Sequence, residues 1–417
     1  MHRSWTRGFA VLMAVTAIGA CSTGTSSSSG PTTLTVTAWK GGGTELAGID
    51  QLNAAFQQAH PEYKLEYKYV SPDYETYVNT RLAGGQASDV LMADRYKMTK
   101  WFKQGYLADL SDQPWVSRMY PNLKDFNSIK GKTYQLNSEN APLGLYVNLD
   151  LLKGAGINQA PATWPEFLAD LNTLKAKNMN GILLANKGGW EGITLSLELA
   201  SNLVDKDWAG KYDSGQSAFN PAWGPVIDKI KALLSSGTVD SKLMLGLDPW
   251  SDGPAQFKAG KWPFFLQGAW ELSDFTKNVT FNFSLNPFPG GDAGSEPKSF
   301  TFVGAGWVVN SHAKNPSGAR AYLNFMSQPK NSAVFLAAES AFSTLTDVES
   351  PAISQEQPIL ATYKKGNTVP SAIEQLNYTD GESELGKAIQ ALFVNPGLST
   401  SSVLQTLDTQ IPKSPVG

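Results

Sequence analysis

The feature that most constrains the fold is an alternation of strand and helix patterns in the first hundred residues. Segments 33–39, 63–70 and 88–94 have the alternating or short apolar runs that are typical of strands. Between them, segments 44–61 and 74–83 have the apolar spacing of amphipathic helices. This β-α-β-α-β order predicts an α/β unit with a mostly parallel sheet and helices on both faces.

A second unit of the same kind follows. Its predicted strands are 141–152 (leading into a helix), 181–187, 261–270 (also leading into a helix), 281–289 and 300–311. Its predicted helices are 163–178, 226–237 and 315–327, with further helices up to Pro412. A chain of 417 residues with two α/β units is expected to form two domains with a cleft between them. In such sheets, ligands bind at the carboxyl ends of strands.

The N-terminus has the pattern of an export signal with a lipid anchor. Residues 1–20 combine a basic start with an apolar run that is too short to span a membrane. The sequence Ile18-Gly19-Ala20-Cys21 resembles a bacterial lipobox, so we expect cleavage before Cys21 and acyl chains on its thiol. Residues 21–33 would then be a lipidated, Ser-rich tether. The alternatives are an ordinary signal peptide or a buried N-terminal helix.

Composition excludes several classes of function. The chain has 34 Lys and Arg against 37 Asp and Glu, with no basic stripe, so a nucleic-acid partner is not expected. Cys21 is the only cysteine, and His2, His60 and His312 have no metal-ligand spacing. The glycine clusters fit no Walker or dinucleotide pattern, and there is no Ser-His-Asp signature. We therefore expect no metal, no cofactor and no catalytic site.

Flat aromatic rings and planar polar groups recur just after the predicted strands. These strand-end residues are Trp39, Lys40, Glu45, Asp94, Arg95, Asn137, Glu139, Asn140, Trp190, Glu191, Gln267, Gly268, Trp270 and Trp307. A pyranose packs its C–H face on an aromatic ring, while carboxylates, amides and cations bind its hydroxyls. The set therefore favours a sugar site. Taken singly, any of the tryptophans could be core packing, Glu45 a solvated carboxylate and Asp94 a helix N-cap.

Five segments in a fixed order extend this interpretation. They include "RLAGGQASDVLMAD", "APLGLYVNLDLLKGAGINQAPATWPEF", "FKAGKWPFFLQGAWELSDF" and "GAGWVVNSHAKNPSGARAYLNFMSQPKNSAVF", preceded by 34–67. From Leu34 to about Thr346, the chain resembles the family 1 extracellular solute-binding proteins of ABC sugar importers, the maltose-binding-protein-like group.

The resemblance implies a two-lobed periplasmic-binding-protein fold (type II-like), with the ligand cleft between lobes that hinge crossings join. Lobe 1 would comprise 34–143 plus 303–346, and lobe 2 would comprise 144–302 plus 347–417. The crossings are expected near 142–146, 300–303 and 344–351. The ligand would be a sugar, with a di- or oligosaccharide as the expected size, and the lobes would close on it by hinge motion.

The resemblance also implies partners and site residues. An extracytoplasmic monomer, anchored to the bacterial cell membrane as a lipoprotein, would deliver its ligand to the transmembrane subunits of an ABC permease. Trp39, Lys40 and Glu45 match a segment that often contacts sugar, and Asp94 matches a common hydroxyl acceptor. The aromatic positions that often stack on sugar rings match Trp250 and Trp270. The segment "AFSTLTDV" (341–348) departs from the family pattern.

Three alternatives remain open at this point. A polyol phosphate or another non-sugar solute would call for convergent cations, for which the cleft offers mainly Lys40 and Arg95. A glycoside hydrolase would need two carboxylates about 5–9.5 Å apart, and no pair of acids is marked as such. An adhesin or sensor on the same fold would share every feature above. The non-enzymatic importer component is the prediction.

Overall fold

The computed structural model describes residues 30–40, 48–70, 73–350, 353–378 and 380–414. The predicted signal peptide, Cys21 and Glu45 lie outside these ranges. Within the described part of the chain, no helix is both long and apolar enough to cross a membrane.

The strands divide between two large sheets and one small hairpin. They are β1 (Thr32–Ala38), β2 (Tyr63–Tyr69), β3 (Val90–Ala93), β4 (Ser128–Ile129), β5 (Lys132–Thr133), β6 (Leu136–Asn137), β7 (Asn140–Asn148), β8 (Ile182–Leu183), β9 (Phe264–Gly268), β10 (Phe283–Asn286), β11 (Ser299–Val303), β12 (Gly306–Val309) and β13 (Thr368–Pro370). The first sheet has the order β2-β1-β3-β12-β6. The second has the order β13-β11-β7-β9-β8, and β10 also pairs with β7.

Helices pack around both sheets. They are α1 (Ile49–Ala59), α2 (Tyr74–Ala83), α3 (Arg95–Lys103), α4 (Pro121–Phe126), α5 (Leu149–Gly154), α6 (Trp164–Ala176), α7 (Trp190–Leu203), α8 (Trp208–Asp213), α9 (Phe219–Ala222), α10 (Gly224–Ser235), α11 (Ser241–Gly246), α12 (Asp252–Lys258), α13 (Leu272–Asn278), α14 (Pro316–Met326), α15 (Pro329–Glu339), α16 (Gln357–Lys364), α17 (Gly381–Val394) and α18 (Thr400–Gln410). Short 3₁₀ turns occupy Pro114–Arg118, Ala269–Glu271 and Ser354–Glu356.

Both sheets are mixed, so the prediction of mostly parallel sheets is wrong beyond the first three strands. β1 runs parallel to β2 and β3, as predicted. β12 runs antiparallel to β3 and to β6. The reason is connectivity: β12 enters the first sheet directly from the second, at the end where β3 finishes, and must therefore run back along β3.

The chain passes from one sheet to the other between consecutive strands in two short stretches. Residues 138–139 join β6 to β7, and residues 304–305 join β11 to β12. A third passage lies between Val348, which packs with the first sheet, and Ile359, which packs with the second, and the third predicted crossing is near 344–351. The segment 300–311, predicted as one strand, is thus two strands in different sheets. The predicted crossings near 142–146 and 300–303 fall inside β7 and β11, a few residues from the observed changes of sheet.

Each sheet has its own hydrophobic core, and we call each sheet with its core a lobe. The first core is built around Leu34, Phe56, Trp101, Trp307 and Tyr322. The second includes Tyr146, Phe167, Trp208, Phe257 and Ile389. Two separately packed cores joined by short crossings are the arrangement that permits hinge motion.

Candidate functional site

Glu139 lies in the first crossing and joins three segments of chain at the junction of the lobes. Its Oε1 accepts from Lys40 Nζ at 2.9 Å, just beyond β1, and from the amide of Ala305 at 2.9 Å, in the second crossing. The residue is only 3% exposed. A Cβ at Gly304 would lie 2.6 Å from the same oxygen, so glycine is needed there. The predicted residues Lys40 and Glu139 therefore meet at the hinge.

Asn137 and Asn140 flank Glu139 and hold the crossing in shape. Asn137 Nδ2 donates to the carbonyl of Gly304 at 3.0 Å, and its Oδ1 accepts from the amide of Glu139 at 3.2 Å. The amide and carbonyl of Asn140 pair with the backbone of Phe342, at 2.9 Å each. Both asparagines are buried, so the structure gives them a role in building the hinge.

Trp39 and Asp94 lie at the carboxyl ends of neighbouring strands, as predicted. Trp39 packs edge-on against Tyr74, with 5.0 Å between ring centroids. Asp94 caps α3, accepting from the amide of Lys97 at 2.8 Å, and its other oxygen is ion-paired with Lys97 Nζ. That ammonium lies 5.1 Å from the centroid of the Trp39 ring. Asp94 therefore caps a helix, as the alternative interpretation of this residue predicts, and it is also part of a charged group beside an aromatic ring.

The guanidinium of Arg95 binds backbone carbonyls of its own lobe. Its Nη1 donates to the carbonyls of Phe126 and Ser128, at 2.5 and 3.1 Å. Burial of the guanidinium lowers the pKa of Arg95 to about 10. Because its hydrogen bonds go to backbone carbonyls, Arg95 does not present an open fork to an anion.

In the second lobe, three of the predicted tryptophans form one cluster. The ring centroids of Trp190 and Trp250 lie 5.2 Å apart, and those of Trp250 and Trp270 lie 6.0 Å apart. Successive rings are tilted by 40° and 39°. Trp250 is 55% exposed, although it is one of the largest apolar side chains. The cluster therefore presents a curved aromatic surface with an accessible face.

A fourth ring joins this cluster to the hinge. Phe302 of β11 stacks on Trp190, with centroids 5.3 Å apart and planes 15° apart. Phe302 pairs with Ala141 of β7 and lies two residues before Gly304. The aromatic surface and the Lys40–Glu139 pair are thereby connected through the strand that leads into the second crossing.

Glu191 and Gln267 are buried beside the tryptophan cluster and hydrogen-bond to each other. Gln267 Nε2 donates to Glu191 Oε1 at 3.4 Å and to the carbonyl of Pro249 at 3.1 Å. Glu191 is fully buried, and burial raises its pKa well above the ordinary value. A Cβ at Gly268 would lie 2.2 Å from the Trp270 ring, which explains the glycine. The polar atoms of Glu191 and Gln267 thus bond to one another, to the Thr194 hydroxyl and to the backbone next to Trp250, so these predicted residues hold the chain that carries the tryptophans.

Trp307 is in a different place from the rest. It is 0% exposed inside the first core and packs edge-on against Tyr322 at 5.7 Å. The core-packing alternative therefore describes Trp307, whose ring has no accessible face.

Sequence reasoning missed two contributors to the site. Phe302 lies inside a predicted strand, and its side-chain direction depends on where that strand changes sheet. Lys97 follows Asp94 by three residues, one helical turn, and this spacing after a capping acid was the available signal. Among the described residues, no group of His, Cys, Asp or Glu could hold a metal ion.

Comparison with known proteins agrees with this architecture. Residues 51–362 match the family model described as bacterial extracellular solute-binding protein. The melibiose/raffinose/stachyose-binding protein MelE of Bacillus subtilis (strain 168) is 30% identical over 152 residues, which are 36% of this chain and 35% of that protein. The aligned region thus spans about a third of the length of the curated relatives it matches.

Solved structures show the fold over nearly the whole chain. A family 1 extracellular solute-binding protein from Bifidobacterium longum subsp. infantis aligns with a TM-score of 0.75 at 21% identity, covering 91% of this chain and 99% of that one. A sugar transporter from Bacillus licheniformis in complex with stachyose aligns with a TM-score of 0.70 at 19% identity, with the same coverage. The predicted periplasmic-binding-protein fold is confirmed. Because the family model covers well over half of the chain, the protein belongs to the bacterial extracellular solute-binding proteins, a family of binding components and not of enzymes.

Proposed function

We propose that this protein is the lipid-anchored, extracytoplasmic substrate-binding component of an ABC importer. It binds a di- or oligosaccharide between its two lobes, closes by hinge motion and delivers the sugar to the transmembrane permease. In this proposal, the first lobe comprises 32–137 and 306–348, and the second comprises 140–303 and 353–414. These boundaries differ by a few residues from those expected from the sequence.

The observation that carries the proposal is the tryptophan cluster beside the hinge. Trp190, Trp250 and Trp270 form a curved surface, and the most exposed ring is the central one. A ring of this size left open to water costs free energy unless something covers it, and a sugar C–H face is suited to do so. The spacing of 5–6 Å between rings suits contact with more than one sugar unit.

Hydroxyl recognition would come from the facing edge of the first lobe. Asp94 and Lys97 supply an acceptor and a donor next to the Trp39 ring. Their hydrogen bonds to sugar hydroxyls would be charge-assisted, and such bonds contribute about 1.5–3 kcal/mol each. The one relative named for binding melibiose, raffinose and stachyose supports the same ligand class.

A phosphate-bearing ligand fits the cleft less well. Lys40 is ion-paired with Glu139, and Arg95 donates to two carbonyls. A phosphate would require such cations to converge on one point, and here their positions are set by other partners.

Isothermal titration calorimetry of the purified chain tests the proposal. The panel is melibiose, raffinose, stachyose, maltose, galactose and glycerol 3-phosphate, with each ligand checked by mass after titration. Micromolar or tighter binding of an intact di- or oligosaccharide is the expected result. If only glycerol 3-phosphate binds, the ligand class is a polyol phosphate and not a sugar. Cleavage of a ligand during the titration would contradict the proposal that the protein binds its ligand without reaction.

The membrane anchor has its own test. Cys21 lies outside the described residues, and the anchor rests on the order of signal, small residues, cysteine and tether. Cys21→Ser is expected to release the protein from the membrane fraction without changing its affinity for sugar. Retention of the variant in membranes would contradict lipidation at Cys21.

A further inference from the structure

The two lobes also meet at a place where no chain crosses between them. Tyr96 Oη, on α3 of the first lobe, donates to Asp380 Oδ1 at 3.1 Å. Lys103 Nζ, at the end of α3, donates to the carbonyl of Asn377. We call α3 together with residues 373–378 and 380–382 the clasp. Because the two sides are joined only by non-covalent contacts, the clasp exists only while the lobes lie close together.

The first side of the clasp is fixed in the first lobe. Met98 and Trp101 of α3 are buried in the first core. Trp101 Nε1 also donates to Asn79 Oδ1 of α2 at 2.8 Å. α3 therefore moves with the first lobe.

The other side is fixed equally firmly in the second lobe. Ile373 and Leu376 are buried in the second core. The amide of Asn377 donates to Asp213 Oδ2 at 2.9 Å, and its Nδ2 donates to the carbonyl of Ser414 at 2.9 Å. Since each side is held by its own core, separating the lobes would break the clasp instead of pulling one side along.

Acidic and basic side chains of the two lobes also lie close together at the clasp. Glu374 and Glu382, from the second lobe, lie near Asp94, Arg95 and Lys97 of the first. Burial, with Asp94 beside it, raises the pKa of Glu382 to about 7, and Lys97 opposes that shift. One oxygen of each of the two glutamates is enclosed and accepts no hydrogen bond from the described residues. The two cations thus partly compensate acids that the meeting of the lobes brings together.

The clasp lies on the cleft side of the hinge. Lys97 of α3 is the same residue that pairs with Asp94 and lies over the Trp39 ring. Both of those residues stand at the strand ends that face the proposed ligand. A hinge motion that widens the cleft at Trp39 would therefore draw α3 away from Asn377 and Asp380.

We infer that Tyr96, Lys103 and Asp380 set the affinity for ligand without touching it, by stabilising the closed arrangement of the lobes. The inference rests on the proposed function in one respect, that closure and ligand binding are coupled. When only a fraction of the protein is in the binding-competent form, the apparent Kd rises in inverse proportion to that fraction. Contacts that exist only in the closed form raise the fraction and so tighten binding.

The test uses variants that remove one clasp contact each, with controls matched in chemistry. Tyr96→Phe and Lys103→Met are compared with Tyr322→Phe and Lys132→Met. Tyr322 Oη donates to Asn53 Oδ1 at 3.0 Å within the first lobe. Lys132 lies outside the clasp and pairs with Asp109 at 2.8 Å, also within the first lobe. Asp380→Ala removes the acceptor from an exposed position and serves if Tyr96→Phe does not fold.

Two measurements are made on each purified full-length variant. Small-angle X-ray scattering without ligand is expected to give a larger radius of gyration for the clasp variants than for wild type and controls. Calorimetry with raffinose is expected to give a Kd about three- to tenfold higher for each clasp variant than for wild type. A variant that combines Tyr96→Phe with Lys103→Met should have a higher Kd than either single variant. The controls should keep the wild-type Kd.

The outcomes separate this inference from the proposed function. If no sugar binds to the wild type, the proposed function fails, and scattering of the ligand-free variants still decides whether the clasp holds the lobes. If raffinose binds and the clasp variants keep the wild-type Kd and radius of gyration, the inference about the clasp is wrong and the proposed function stands. A smaller radius of gyration in the clasp variants would also overturn it, because the contact would then oppose closure.

Discussion

Lys40 Nζ and Glu139 Oε1 lie 2.9 Å apart and join the end of β1 to the first crossing between the lobes. The lysine side chain is 16% exposed and the glutamate side chain 4%, so water screens the pair only weakly. The same glutamate oxygen also binds the second crossing through Ala305. One carboxylate thus fixes the relation between a residue next to Trp39 and the first two crossings between the lobes.

Glu139→Gln tests this arrangement. The amide keeps the shape of the side chain but removes its charge, so the ion pair that links Lys40 to the first crossing is lost. We expect the free energy of unfolding to fall by about 1.5–3 kcal/mol in urea titrations. Glu66→Gln, which removes an exposed pair with Lys64, should have no measurable effect. Equal stability of Glu139→Gln and wild type would show that the pair does not hold the hinge.

Trp250→Ala tests the aromatic surface. The side chain is 55% exposed, so its removal should leave stability nearly unchanged while the ligand loses a stacking face. We expect binding of raffinose to weaken by about 1–2 kcal/mol, roughly five- to thirtyfold, measured by calorimetry. Trp307→Phe is the control, since Trp307 lies in the first core. It should lower the melting temperature and leave affinity unchanged, and the reverse pattern in the two variants would contradict the assignment.

Local signals predicted the local structure well. Segment 74–83 forms α2 with those bounds, and the predicted helix at 163–178 begins with a capping box, in which Glu166 Oε2 accepts from the amide of Thr163 at 3.1 Å. The apolar patterns of α2 and α6 are complete within one helix, so nothing distant needs to be known.

Relations between distant segments could not be predicted in this way. The pattern of 300–311 is that of one strand, and the break at 304–305 is evident only when β11 and β12 are assigned to their different sheets. Lys97 and Asp380 are ordinary helix-end residues until the lobes are placed together. The sequence identified the tryptophans of the site by type, and burial alone distinguishes Trp307 in the core from Trp250 at the surface.

Gly268→Ala tests how the Trp270 ring is positioned. A Cβ at this position would lie 2.2 Å from the ring, and the glycine carbonyl accepts from Tyr146 Oη at 2.9 Å, so the backbone cannot easily move. We expect the free energy of unfolding to fall by about 1–3 kcal/mol and raffinose binding to weaken as the ring is displaced. In Gly210→Ala, a Cβ would meet nothing within 4 Å in α8, and the variant should gain up to about 1 kcal/mol. Two variants of equal stability would contradict the close fit of Gly268 against Trp270.

Glu356 gives the protein a stability that depends on pH. Its side chain is fully buried, and neither carboxyl oxygen accepts a hydrogen bond from any residue that the structure describes. Burial raises the pKa of Glu356 to about 7 from its ordinary value of 4.5. A carboxyl group whose pKa is higher in the folded state favours folding of the protonated form, so its contribution is complete below about pH 4.5. That contribution is lost as the pH rises through about 7.

Urea unfolding at pH 5, 7 and 8.5 measures this dependence. Between the lowest and highest pH, wild type should lose on the order of 2–3 kcal/mol through Glu356. Glu356→Gln cannot ionise, so its free energy of unfolding should fall less over the same range, and it should be more stable than wild type at pH 8.5. Burial also raises the pKa of Glu271 to about 7, so in both proteins part of the decrease in stability with rising pH comes from Glu271. Glu66→Gln, at an exposed site, should follow wild type, whereas a slope in Glu356→Gln as steep as in wild type would show that Glu356 ionises normally in the folded protein.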